Sequence, residues 1–540
     1  MRGADIVAQS LAACGAKTVF ALSGNQIMSI FDAALDTDLR LIHTRHEACA
    51  VFMAEAYAQL TGDVGVAMVT AGPGFANALS AMYSAKTSET PVILLSGDSP
   101  LVRDGYGAFH ELDQTTMAGP VTKASVRVMS EHTLGEDLAR AISLARSGRP
   151  GPVHVALPAD VLTAQTNATV PPADAFARQP ALPRESDIET LLEAFAASER
   201  PVILTGPAMT ETRAGDLLAA LTDAIDAPVV PIESPRALRD PALGQFADSL
   251  KHADLIVSLG KQIDYTVRYG EEGVFPADAN VFAVAPDESA LEQAERALGS
   301  RLTGRIKADA DLCAERLIEG ASVGNPRDAW RAEVAEALAN REMEALPPTG
   351  DGVVPLDVAQ ALQEVVESAG NAIYVADGGE FGQWMQGFVN ASRRVMNGVS
   401  AAIASAMGNA IGAQIADPDA TVICTLGDGT AGFYLGEFDT AVREGANAIF
   451  VIGNDACWNA ERMLQIREFG ADRQTGCDLL PTRYDKAAEG LGAHGEYVTT
   501  AEELGPALAR ARASGKPACI NVKLDAQPAP VFAKDAPGAH

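Results

Sequence analysis

The residues best placed to do chemistry lie near the two ends of the chain. Gly427-Asp428-Gly429-Thr430 closes a β-branched run, and Asp455 stands 27 residues after Asp428, just past the next such run. In a parallel sheet both carboxylates emerge at C-terminal strand ends, where ligands of α/β folds bind. Two hard oxygen donors there suit Mg²⁺, which keeps octahedral geometry and usually shares its shell with a diphosphate. The glycines let backbone N–H groups approach phosphate oxygens at a helix N-terminus. Near the N-terminus, Arg45-His46-Glu47 follows Leu41-Ile42-His43-Thr44 and starts a helix through Tyr57. Thr70-Ala71-Gly72-Pro73-Gly74, with Asn77, opens another. Taken singly these are weak: Glu47 is then a first-turn carboxylate favourable to the helix dipole, and each glycine motif a tight turn.

Their context makes them stronger. Val64–Thr70, Pro91–Ser96, Val153–Ala156, Val202–Thr205, Leu255–Ser258, Val281–Val284, Ala372–Val375, Thr421–Thr425 and Ile449–Ile452 read as buried parallel strands. Helical stretches such as Ala48–Leu60, Glu136–Ser147 and Asp357–Glu367 alternate with them. Alternation of this kind predicts an α/β protein with parallel sheets and right-handed crossovers. Two proline-rich, aperiodic breaks at 164–186 and 345–356 divide the chain near 1–165, 185–345 and 355–525, followed by a tail, 526–540. Each piece suits one doubly wound sheet, so three consecutive domains are expected. The first and last also resemble each other. Gly72 to Asp98 and Gly427 to Asp455 both read strand, glycine turn, helix, strand, which predicts a duplicated βαβ core.

Composition narrows the partners. Lys and Arg number 41 against 71 Asp and Glu, a net charge of −30. Such a chain repels polyanions, so nucleic acid and acidic membrane surfaces are poor partners. No apolar run approaches the ~18 residues of a spanning helix, and the first residues show no secretory pattern. Seven cysteines, odd in number and without a CxxC pair, indicate neither a disulfide framework nor a thiolate metal site. A cytoplasmic location and a small-molecule substrate are expected.

The Arg-His-Glu triplet, the Thr70–Ala78 segment TAGPGFANA and the distant Gly-Asp-Gly with Asn454-Asp455 together resemble the thiamine-diphosphate enzymes of the acetolactate synthase type. The likeness spans nearly the whole chain. GEFDTAVREG (436–445) and KPACINV (516–522) look especially like benzaldehyde lyase and its carboligase relatives. The resemblance implies thiamine diphosphate and Mg²⁺ as cofactors, with pyrimidine-binding, central Rossmann-like and diphosphate-binding domains in that order. It implies a carboligase or lyase acting on C–C bonds beside a carbonyl, with a 2-oxo acid donor. Cleavage of hydroxyketones, or of 2-hydroxyacyl-CoA or oxalyl-CoA, is the alternative.

Carried over position by position, Asp428, Asp455 and the carbonyl of Cys457 would hold the metal. Where the family usually has Asn-Asn this chain has Asn454-Asp455, adding a negative charge beside the diphosphate. Gly427, Gly429, Thr430, Trp458 and Ala460 would line the diphosphate; Gly378, Gly379 and Glu380 would line the same cleft. Ile403 matches the apolar residue that props the cofactor in its bent form, and Ala401 the carbonyl that meets its aminopyrimidine. Glu47 matches the activating glutamate, and Thr70, Pro73 and Asn77 would be cofactor-binding. His110 and Gln26 are the substrate-side candidates, Gln26 lying with Ser23 and Asn25 in a loop where benzaldehyde lyase carries histidines. The central domain lacks a dinucleotide fingerprint: Gly206-Pro207-Ala208 has no second glycine at the required spacing, and Ala285 stands where a ribose-binding acid is expected. FAD or ADP there is disfavoured. The resemblance further implies a homodimer or homotetramer, with each site built from two chains.

Overall fold

The computed structural model describes residues 1–322, 326–343, 346–347 and 349–533. Residues 345 and 348 of the second proline-rich break, and the tail beyond Ala533, lie outside that range. Among the described residues seventeen strands form three sheets, and every ladder is parallel. The first sheet holds β1 (Thr18–Ala21), β2 (Arg40–His43), β3 (Gly65–Val69), β4 (Val92–Asp98), β5 (Ala124–Arg127) and β6 (Val153–Pro158). The second holds β7 (Pro201–Thr205), β8 (Val229–Pro231), β9 (Leu255–Leu259), β10 (Asn280–Ala285) and β11 (Leu302–Lys307). The third holds β12 (Ala372–Ala376), β13 (Arg393–Met396), β14 (Thr421–Gly427), β15 (Ile449–Asn454), β16 (His494–Val498) and β17 (Ala518–Lys523). Three doubly wound parallel-sheet layers are therefore present, as the alternation predicts.

The strand order of the first sheet, β2-β1-β3-β4-β6-β5, is repeated in the third as β13-β12-β14-β15-β17-β16. The likeness of the Gly72 and Gly427 units thus extends to a whole six-stranded topology. By contact the chain forms two compact units. One contains the first and third sheets (Met1–Gln179, Pro348–Gly382, Arg393–Pro528), and the other contains the second sheet (Pro180–Pro347, Gln383–Ser392, Ala529–His540).

In the first unit one apolar core joins both sheets, with Phe20, Phe52 and Phe75 in the same cluster as Val375, Phe438 and Phe450. Its centre is the contact between the helices Glu47–Thr61 and Ser405–Ala416. A Cβ on Gly412 would fall 2.3 Å from the Met53 carbonyl oxygen, so only glycine permits this approach. A second core fills the other face of the first sheet, with Ile6, Leu11, Leu138, Ile142 and Phe176. The second unit has a core on each face of its sheet, one around Phe246, Phe275 and Trp330, the other around Leu191, Phe195 and Leu221. There the Lys261 ammonium, almost wholly buried, pairs with Asp264 at 3.0 Å. All seven cysteines are buried and unpaired. Among the described residues no helix is long and apolar enough to cross a membrane.

Candidate active site

At the C-terminal edge of the first sheet the predicted residues gather around one turn. Gly72 has φ +60°, and Pro73 supplies a pre-set first residue for the helix Pro73–Thr87. His46 caps the helix Glu47–Thr61, its Nδ1 accepting from the Ala48 N–H at 3.1 Å. Glu47 is thereby fixed in the first turn, 9% exposed. Its Oε2 accepts from Asn77 Nδ2 at 3.0 Å, and its Oε1 lies 3.3 Å from where a Cβ on Gly74 would stand. Thr70 Oγ1 donates to Gln26 Oε1 at 2.6 Å. His110, at φ +62° and stacked on Phe109, backs onto the turn, so that a Cβ on Gly72 would meet its Cβ at 3.0 Å. Glu47, Thr70, Pro73, Asn77, Gln26 and His110 thus share one neighbourhood. Ser23 Oγ lies 3.0 Å from His43 Nε2, and Asn25 is exposed.

The edge of the third sheet is more acidic. Asp428 opens the short helix Asp428–Ala431, and its Oδ1 accepts the Gly429 N–H at 2.8 Å. Its Oδ2 is buried and has no hydrogen-bond partner among the described residues. Burial pushes the Asp428 carboxyl up to about 6. Burial first, and the Asp428 charge second, push Asp455 up to about 7. The Cys457 N–H faces both carboxylates, and Ala456, just before Cys457, takes φ +54°. Two acids so placed repel each other and favour a cation between them. Among the described residues no group of three or more His, Cys, Asp and Glu could hold a metal. A cation here must complete its shell with carbonyl and ligand oxygens, which is the habit of Mg²⁺. A Cβ on Gly429 would strike the Trp458 ring at 2.8 Å, which keeps that backbone bare. Thr430 Oγ1 donates to the Gly427 carbonyl at 2.9 Å. The donor set and bare backbone fit a metal with a diphosphate.

Ala401 has φ +55° and Ile403 is 42% exposed. Gly378 lies two residues past the end of β12, while Gly379 and Glu380 begin the helix Gly379–Phe388. Ala460 lies in the first turn of the helix Asn459–Phe469, and no described contact ties it to the carboxylates.

Three further residues organise the site without having been expected to. Asp377, fully buried, accepts from Gly378 N–H and Ala404 N–H, each at 2.8 Å, and also meets the Thr430 hydroxyl. It ties three site segments together, and burial pushes its carboxyl up to about 6. Glu437 accepts from the Arg45 and His46 N–H groups at 3.0 and 2.9 Å, holding the start of the helix that carries Glu47. Tyr484 donates its hydroxyl to the Asp428 carbonyl at 2.7 Å. Only Asp377 has a local mark, its place just past a predicted strand and before two glycines, and that mark does not show what it holds.

Two parallel-sheet layers of one topology thus present a single held glutamate at one edge and a paired-carboxylate turn at the other, and the donor set of the second suits a metal-bound diphosphate. Family comparison agrees with this reading. Residues 1–117 match the model of the thiamine pyrophosphate enzyme N-terminal TPP-binding domain, and residues 377–522 that of the C-terminal TPP-binding domain. The chain is 31% identical over 542 residues to the acetolactate synthase large subunit of Mycobacterium tuberculosis, covering 97% of this chain and 96% of that protein. It is 30% identical over 552 residues to 2-hydroxyacyl-CoA lyase 2 of Homo sapiens, covering 93% and 86%. It is 29% identical over 559 residues to the catabolic acetolactate synthase of Raoultella terrigena, covering 98% and 96%. The chain belongs to the thiamine-diphosphate-dependent enzymes, among the carboligases and lyases.

Proposed function

We propose that the enzyme works with Mg²⁺, taking a 2-oxo acid as donor and joining it to a carbonyl acceptor, with the reverse cleavage of a 2-hydroxycarbonyl compound as its alternative direction. The observation that carries this is the Asp428–Asp455 pair at one sheet edge, which forms no ion pair with a basic side chain among the described residues, matched by Glu47 held on Asn77 at the other. Asp428, Asp455 and the Cys457 carbonyl hold the metal; Gly427, Gly429, Thr430, Trp458 and Ala460 line the diphosphate. Gly378, Gly379, Glu380, Ala401 and Ile403 cradle the organic part, and Thr70 and Pro73 wall the opposite side. When bound, the cofactor supplies a carbon nucleophile and electron sink. Glu47 would hold and exchange a proton at its carboxyl toward the bound cofactor, Asn77 would orient that carboxyl, and His110 and Gln26 would face the substrate.

Each site is built from two chains, in a homodimer or a dimer of such dimers. Support comes from the helix Pro73–Thr87. Asn77 near its start meets Glu47, whereas Ser400, beside Ala401, bonds Thr87 at its end. Ten residues of helix, about 15 Å, separate the two attachments. Exposed apolar side chains at both edges, Tyr106 and Phe109 on one and Ile403 and Phe433 on the other, offer surface for a second copy to cover. Seven unpaired thiols fit a reducing, cytoplasmic compartment.

Calorimetry of the dialysed protein with thiamine diphosphate, with and without Mg²⁺, tests the cofactor assignment: binding is expected only with the metal, and metal-independent or absent binding would refute it. A panel of 2-oxo acids and aldehydes, read by CO₂ and hydroxyketone formation, tests the donor.

A further inference from the structure

The end of β13 holds a side chain that the roles above leave unused. Asn397 follows β13 directly and is 1% exposed. Neither its Nδ2 nor its Oδ1 has a hydrogen-bond partner among the described residues. A Cβ on Gly378 would lie 3.0 Å from Nδ2, so the amide sits over the glycine two residues past the end of the neighbouring strand β12. Asn397 also begins the segment that carries Ala401 and Ile403. That segment passes through left-handed backbone at Gly398, Ala401 and Ala404, two of them alanines.

A buried polar group left unpaired costs about 1–3 kcal/mol, and native chains rarely keep one that no water or ligand accounts for. Asn397 has two such groups on a single amide. Its place in the sheet says which end of a ligand it serves. β13 and β14 flank β12, and neighbouring strands lie about 4.8 Å apart. Asn397 is therefore about 10 Å across the sheet from Asp428, on the side away from Asp455. It belongs to the organic end of the crevice and not to its anionic end.

An amide offers one donor face and one acceptor face. A 2-oxo acid at neutral pH carries acceptors only and would leave Oδ1 unpaired. An acyloin, a hydroxyl beside a carbonyl, matches both: its carbonyl accepts from Nδ2 and its hydroxyl donates to Oδ1. We infer that Asn397 is a specificity-determining residue that recognises the 2-hydroxycarbonyl unit, the product of ligation and the substrate of cleavage, in preference to a plain 2-oxo compound. This rests on the function proposed above and names the substrate class at the same site. A site built to bond a hydroxyl discriminates strongly against an analogue lacking it, because its own polar groups then stay unpaired.

The test is a matched pair that differs in one group, 3-hydroxybutan-2-one and butane-2,3-dione, titrated calorimetrically into the enzyme loaded with thiamine diphosphate and Mg²⁺. The wild-type protein is expected to bind the hydroxyketone at least tenfold more tightly. Asn397→Leu should bring the two within twofold of each other while its thiamine diphosphate affinity stays within twofold of wild type. Asn397→Ser, smaller and still polar, should keep part of the preference and serves if the leucine variant does not fold. Equal binding of the pair by the wild type, or a preference that survives in Asn397→Leu, would overturn the inference. A tenfold loss of cofactor affinity in Asn397→Leu would also overturn it, assigning the amide to the cofactor. Failure of the wild type to bind thiamine diphosphate at all would instead defeat the function on which the inference rests.

Discussion

The first and third sheets share one strand order, yet they treat an acid at the same strand end in opposite ways. Asp98 ends β4, and Asp455 follows β15, the corresponding strand. Asp98 is almost fully buried and answered at once: Ser99 N–H donates to it at 2.7 Å and Arg127 Nε at 2.6 Å. Arg127 continues to Asp104, closing the network inside the chain. Asp455 has Asp428 beside it, and among the described residues neither forms an ion pair with a basic side chain. The same topology thus yields one edge that neutralises its own charge and another that sets two carboxyls side by side with no ion-pair partner among the described residues. Under the function proposed above, the first edge would have no metal to hold and could devote Glu47 to handling a single proton.

Four changes would break or sharpen that contrast. Glu47→Gln should act at the first edge alone, lowering kcat by about 10²–10⁴ while calorimetric cofactor affinity changes no more than a few-fold; full turnover by this variant would remove Glu47 from the chemistry. Asp428→Ala should act at the other edge, weakening Mg²⁺-dependent cofactor binding about 100-fold, about 2.7 kcal/mol, in the same titration. Arg127→Met should leave Asp98 buried without its partner and destabilise the fold by about 2–3 kcal/mol in chemical denaturation, since Arg127 is itself partly exposed. Its Mg²⁺ affinity should match wild type, and a parallel loss would mean that the two edges are not independent.

The smallest effect concerns His154, which lies between Ser96 and Ser125 beneath Phe75, fully buried. Burial drives its imidazole down to about 3. The unfolded chain takes up the proton below about 6.5 and the folded chain does not. The stability from this group is therefore complete above that pH and is lost as pH falls toward 3. Between pH 7 and pH 5 the loss is about 2 kcal/mol. His154→Gln should flatten that part of the stability-versus-pH curve, and an unchanged slope would show that His154 is not held neutral.

Much of this architecture was legible from residue order. The β-branched runs are strands because both faces of a parallel sheet are buried, and Val92–Asp98, buried at every position, shows why such a run cannot be amphipathic. Glu47, Asp428 and Asp455 were legible because each stands at a strand or helix boundary that local spacing marks. Asp377 was not, since its meaning lies in Ala404, 27 residues away, and in Thr430. Glu437 is further from reach still, because the N–H groups it holds are 391 and 392 positions distant. No spacing rule shows which distant loops will share one buried carboxylate. Asn397 is harder again, as what distinguishes it is a side-chain amide with no partner among the described residues, a property only the packed chain possesses. The grouping of the first and third sheets into one unit likewise follows from helix contact at Gly412, where the informative atom is a hydrogen in place of a methyl.

The burial of every thiol has a practical corollary. Alkylating reagents attack thiolates they can reach, so the native enzyme should resist them, and the rate at which each sulfur is modified becomes a clock for local opening. Cys49 would time separation of the two sandwiched layers at Gly408, Cys313 loosening of the central sheet, and Cys457 breathing of the loop behind the acids. Mass spectrometry of partly labelled protein could then rank these events in a single experiment.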